Sequence, residues 1–227
     1  MSRLAAFLLI VPMLQAQTKE PFVRASGEAT ISAKPDEARI QIGVITPAKT
    51  AEAAAEQNAN QTKLVLDELR KNMAASSELR TLRYSIAPQY RYPKPGGTPV
   101  IDGYIANNTV NVTTRDLASV GKLIDIASRD GANTIHSIDF TVHDDRAIRA
   151  QALREATENA RANAEAMVSG VGAKLGRLLT VESSVLPQTR PIPQFQMRAA
   201  NQQAPTEIEP GSVDVHASST VSFEIVQ

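Results

Sequence analysis

"VRASGEATISAKPDEARIQIGVIT", residues 23–46, divides at Lys34–Asp36. Beyond that point Ala38, Ile40, Ile42 and Val44 alternate with Arg39, Gln41 and Gly43. Period-two alternation is the mark of a strand with one buried face. Pro35 and Asp36 are turn formers, so the stretch predicts two consecutive antiparallel strands. From Thr50 the period changes. Ala51, Ala54, Ala55, Ala59, Thr62, Val65, Leu66, Leu69 and Met73 draw one stripe on a long helix. Thr50 is its N-cap candidate, with Pro47 holding the preceding chain extended.

The same two periods alternate through the rest of the chain. "ELRTLRYSIAPQYRY" (78–92) and "VIDGYIANNTVNVTTR" (100–115) read as a hairpin around the Pro/Gly-rich "PKPGGTP" (93–99), with Pro88 marking an edge or a bulge. A shorter helix follows, capped by Asp116 and ended by Gly131. The segment 133–144 is a strand with Ile138, Phe140 and Val142 on one face. A second long helix spans about Arg146 to Gly170, with Ile148, Ala152, Ala156, Ala160, Ala164 and Met167 as its stripe. That alanine-rich face permits close approach to a sheet while burying little area per residue. Lys174–Ser184 and the closing Val213–Ile225 are strands. Between them, about 185–211, five prolines and few large apolar residues describe an extended arm. The order ββαββαβαββ implies an α+β fold, a mostly antiparallel or mixed sheet with helices packed on one face.

The amino terminus reads as a leader. Arg3 precedes an uncharged run from Leu4 to Leu14, and Ala16 offers a cleavage point before Gln17. About eleven apolar residues are too few to span a bilayer, so residues 1–16 are expected to be a signal peptide and 17–227 one exported domain. No other stretch is apolar enough for a transmembrane segment. The chain has no cysteine, which excludes disulfides, thiolate nucleophiles and thiolate metal sites. Lys plus Arg balances Asp plus Glu at 24 each, so no net field draws nucleic acid or an anionic membrane.

Signs of catalysis are few. "HDD" (His143–Asp145) offers imidazole and carboxylates that suit a divalent ion, as in a metal-dependent hydrolase, but lacks a second spaced ligand pair. The simpler reading is a polar strand end feeding a helix N-terminus. Histidines 136, 143 and 216 all fall in predicted strands. No nucleophile elbow, phosphate loop or dinucleotide fingerprint is present, and Glu155, Glu158, Arg161 and Glu165 form solvated pairs on a helix face. No cofactor is implied.

All four tyrosines lie in the predicted hairpin: Tyr84, Tyr90, Tyr92 and Tyr104. A hairpin closed symmetrically around Gly96 places Tyr104 opposite Pro88, on the face that carries the other three. On this reading Tyr84 and Tyr104 pack under a helix, and Tyr90 and Tyr92 are the better interface candidates. An aromatic cleft for a small molecule is the alternative.

"GEATISAKPDEARIQIGV", "YSIAPQYRY", "IDGYIANNTVNV", "LASVGKLIDIASRDGANTIHSIDF", "REATENARANAEAM", "GAKLGRLLTVE" and "EPGSVDVHASSTVSFEI" together resemble the SIMPL-domain family over about Val23 to Gln227. The resemblance implies an exported protein of the periplasm or cell envelope, with helices on a mostly antiparallel sheet. It also implies the labels of oxidative-stress defence and immunogenic envelope protein, and supplies no catalytic residue to carry over. The expected function is non-enzymatic: self-assembly into a homo-oligomer, or contact with an envelope partner.

Overall fold

The two strands on either side of Lys34–Asp36 do not pair with each other. In the computed structural model, which describes residues 20–93, 97–186 and 206–227, β1 (Phe22–Ala33) and β2 (Glu37–Ala48) belong to different sheets. The expected signal peptide, the hairpin apex and most of the proline-rich arm lie outside the described residues. The remaining elements are α1 (Ala51–Asn72), β3 (Glu78–Arg91), β4 (Val100–Thr114), α2 (Val120–Arg129), β5 (Thr134–Thr141), α3 (Arg146–Gly170), β6 (Lys174–Leu186) and β7 (Val213–Val226). Order and class follow the sequence pattern: three helices on antiparallel strands, an α+β fold.

One sheet has four strands in the order β3-β4-β2-β5, the other three in the order β1-β7-β6. The first is built wholly from the continuous stretch 37–141, and the second takes β1 from before it and β6 and β7 from after it. The expected hairpin at Pro35 is therefore a crossing between sheets. Alternation records which residues face a core, and it carries no information on which core they face.

In the four-stranded sheet Ile40, Ile42, Val44, Val110 and Val112 are buried against α1 and α2, joined by Val65, Leu69, Val120 and Leu123. Thr50 caps α1 as expected, its hydroxyl accepting from Ala53 N at 3.2 Å. Asn58, a polar residue in the middle of the buried stripe, donates through Nδ2 to Val44 O at 2.8 Å and to Ala106 O at 3.3 Å. Gly131 ends the α2 segment with φ +118°, a conformation that favours glycine. Asp116 makes no side-chain cap, and a short 3-10 turn (Leu117–Ser119) precedes α2 instead. Ile208, in the described end of the arm, packs onto this core, and Thr206 Oγ1 donates to Asp125 Oδ1 of α2 at 2.6 Å.

In the three-stranded sheet Val215, Ala217, Val221 and Phe223 face α3. The buried stripe of α3 is Ala152, Ala156, Ala160, Ala164 and Val168, and Met167 points outward. The alanine face seats the helix against Gly27, where an added Cβ would lie 2.2 Å from Ala160 N and 2.4 Å from Ala156 O. Asn159 and Asn163 of α3 donate to Glu28 O and Ser26 O, on either side of that glycine. They thereby occupy carbonyls along the open edge of β1.

Candidate contact surface

The hairpin register agrees with the symmetric reading. Tyr84 lies opposite Asn108, Ile86 opposite Ala106 and Pro88 opposite Tyr104. The pairing shifts between Gln89 and Tyr90, bringing Tyr90 opposite Ile101, so the tyrosine row is interrupted by a bulge. Asp102, the residue this shift leaves over on β4, faces Arg91 Nε at 3.5 Å, and its carbonyl accepts from Lys49 Nζ at 3.0 Å. Gly103 lets β4 pass close to the end of β2, since a Cβ there would meet Ala48 O at 2.7 Å.

The expected packing of Tyr84 under a helix is not found. Tyr84 is 50% exposed, Tyr90 52% and Tyr92 67%, and Tyr104 is half-buried. The cause is the seat of α1, which packs chiefly on β2 and β4 and touches β3 less, so that of the described β3 residues only Leu79 packs on the helix-covered core. Leu82, Ile86, Val100 and Ile101 are exposed on the same hairpin. None of the four tyrosine hydroxyls bonds to a described residue. Sequence reasoning named the tyrosines as the interface candidates and did not name Val100 and Ile101 with them. The signal that could have found these was the apolar pair Val100–Ile101 opening the returning strand.

The polar candidates are held in structural bonds. His143 falls just beyond β5 rather than in a strand, with Nδ1 2.9 Å from Glu37 Oε2 and its backbone N–H donating to Asp36 Oδ1 at 2.7 Å. Asp36 N donates to Thr141 O at 3.0 Å. These bonds bind together the two connections that cross between the sheets, 34–36 and 142–145. Glu37 is 5% exposed at its side chain and also accepts from Arg39 and Thr141. Burial pushes its carboxyl up. The bonds from His143, Arg39 and Thr141, with the Arg39 charge, outweigh that and hold it below the usual glutamate value.

Asp144 is held well below the carboxylate range by hydrogen bonds from Arg146, and Asp145 accepts from Arg149 at 2.6 Å. The residues of "HDD" thus turn to three different partners, and among the described residues no three metal-ligating side chains converge. His216 Nδ1 lies 2.6 Å from Thr30 Oγ1 across the β1–β7 pair. Among the described residues no helix is long and apolar enough to cross a membrane.

A family model described as SIMPL, a protein of unknown function (DUF541), matches residues 23–223. The chain is 31% identical over 218 residues to the 26 kDa periplasmic immunogenic protein of Brucella melitensis, covering 93% of this chain and 87% of that one. It is 30% identical to the uncharacterized protein YggE of Edwardsiella ictaluri, covering 90% of this chain and 83% of the relative. The YggE of Escherichia coli strain K12 is also 30% identical, over 86% of this chain and 80% of its own length.

Proposed function

The chain belongs to the SIMPL family of proteins of unknown function, and from its surface we propose that it acts in the periplasm or cell envelope by contact, through the β3–β4 hairpin, without catalysing a reaction. The observation that carries this reading is the run of exposed apolar side chains from Leu82 to Ile101 on a projecting hairpin whose outer strand has a free edge. Such a face loses little side-chain entropy when covered, because tyrosine has few rotamers and keeps its hydroxyl for the wet rim. An open strand edge is also a template for pairing with another chain. The edge of β1, by contrast, is capped by the amides of Asn159 and Asn163. The name of the Brucella relative and the leader-like first sixteen residues support the location. The structural engagement of His143, Asp144, Asp145 and His216 supports a role other than catalysis. Stress defence, where the resemblance implies it, is then an indirect consequence of assembly, since no thiol is present to consume an oxidant.

Self-association is the first form of contact to test. Light scattering on the chain from Gln17 onward should give a mass above that of one subunit, and Tyr84→Asp with Tyr90→Asp should return it to a monomer. A single-subunit mass at every concentration, with no partner captured by crosslinking in intact cells, refutes contact as the activity. An assembly unchanged by the two substitutions refutes the hairpin as its surface.

A further inference from the structure

The face of the four-stranded sheet opposite its helices carries a concavity of about 320 Å³, lined by Gln41, Leu82, Arg83, Asn107, Thr109 and His136. Two β-bulges produce it. On β3 the register with β4 shifts between Thr81 and Arg83, leaving Leu82 as an extra residue. On β5 the register with β2 shifts between Gln41 and Ile42, leaving His136 as an extra residue. β3 and β5 are the two outer strands, and both shifts fall at the level of Thr109, which pairs with Gly43 on one side and Arg83 on the other. Bulges re-aim side chains and raise local twist. Here Leu82 and His136 become opposite walls above a floor of Gln41, Asn107 and Thr109.

Gly43 completes the shape. An added Cβ there would lie 2.7 Å from His136 Nε2, so the imidazole lies across the glycine, with Nε2 3.4 Å from Thr109 Oγ1. A neighbouring pair of arginines on this face, Arg39 and Arg80, are held by Glu37 and Glu78. Arg83 makes no ion pair or hydrogen bond with a described residue, and no acidic side chain lines the cavity. A guanidinium fork, two amides, a hydroxyl and an imidazole thus converge beside one exposed leucine.

We propose that this bowl binds a small carboxylate with an apolar part, its oxygens on the Arg83 fork and its apolar part against Leu82. Guanidinium matches carboxylate geometry with two parallel hydrogen bonds. The amides and hydroxyl of the floor serve the remaining lone pairs, and the open, shallow shape confines affinity to the weak range. The site lies on a different face from the helix-covered core; it shares Leu82 with the contact hairpin, and its test by benzoate titration is read separately from the mass that tests assembly.

Benzoate, inorganic phosphate and glucose are the probes, titrated separately into ¹⁵N-labelled protein from Gln17 onward. Benzoate should move the amides of Arg83, Asn107 and Thr109 along a saturable curve, phosphate should bind more weakly, and glucose should not saturate. Arg83→Gln should weaken benzoate by about tenfold, the scale of a lost charge-assisted fork. The added Cβ of Gly43→Ala meets the movable end of the His136 imidazole at 2.7 Å and Thr134 Cβ at 3.2 Å, so it should keep the fold with a small shift of β5 and weaken benzoate by about threefold as His136 is displaced. Arg91→Gln, on the hairpin, should leave affinity unchanged. No saturable benzoate response, equal binding of glucose, or Arg83→Gln binding like the parent protein would overturn the proposal. Phosphate binding as tight as benzoate would overturn the part assigned to Leu82.

Discussion

Gly27→Ala is the sharpest test of how α3 is seated. The added methyl carbon would lie 2.2 Å from Ala160 N, 2.4 Å from Ala156 O and 2.7 Å from Asn159 C. All three are helix backbone, so no rotamer change relieves the clash, and α3 has to retreat by about 1 Å to regain ordinary contact. Overpacking of this kind costs about 1–3 kcal/mol. The retreat also stretches the bonds from Asn159 to Glu28 O and from Asn163 to Ser26 O, 2.9 and 2.8 Å long, each worth about 1 kcal/mol net. The expected loss is therefore about 3–5 kcal/mol, a large share of the 5–15 kcal/mol typical of a domain. Gly170→Ala is the control: nothing lies within 4 Å of its added Cβ, and alanine at a helix end should change stability by less than about 1 kcal/mol. Urea unfolding followed by circular dichroism measures both. If Gly27→Ala unfolds within about 1 kcal/mol of the parent protein, α3 is not seated on that glycine, and the argument from the alanine stripe fails.

Two further outcomes follow from buried polar groups. Glu37 has a lower carboxyl pKa folded than unfolded, so its bonds contribute fully above the ordinary glutamate value of about 4.3. That contribution is lost as pH falls through this value toward the lower folded one. Because Arg39 and His143 are half exposed, its size is about 1 kcal/mol. Glu37→Gln should flatten the acid limb of a stability–pH curve, and parallel curves for variant and parent would exclude the clasp at the sheet crossing. Asn58→Ala should cost about 2–3 kcal/mol in the same urea assay, from two lost hydrogen bonds and the space left behind. A change under about 0.5 kcal/mol would show that Val44 O and Ala106 O need no side-chain donor.

Much of this architecture could be read from periodicity, because alternation and the helical stripe are set by burial along each element. Val213 to Phe223 and Ala152 to Ala164 bury the residues their spacing names. The hairpin register, with Pro88 opposite Tyr104, followed from counting outward from Gly96. Local chemistry was legible as well: Thr50 caps its helix, and Gly131 turns the chain with a positive φ. Asn58 was missed because a buried amide looks like a surface residue until its carbonyl partners are in place. The "HDD" residues looked like metal ligands because the Glu37 and Asp36 that engage His143 lie more than one hundred positions away in the chain.

By itself the sequence determined the order of elements, the buried face of most of them, the hairpin register and the absence of thiol chemistry, since each depends on neighbours within a turn or a strand pair. Tertiary structure alone decided that β1 and β2 enter separate sheets, that α1 covers little of β3 and leaves Tyr84 exposed, and that two bulges face each other across Thr109. The physical reason is that these outcomes depend on which surfaces meet across long loops. Period-two and period-3.6 patterns specify that a face must be covered, and only packing selects what covers it.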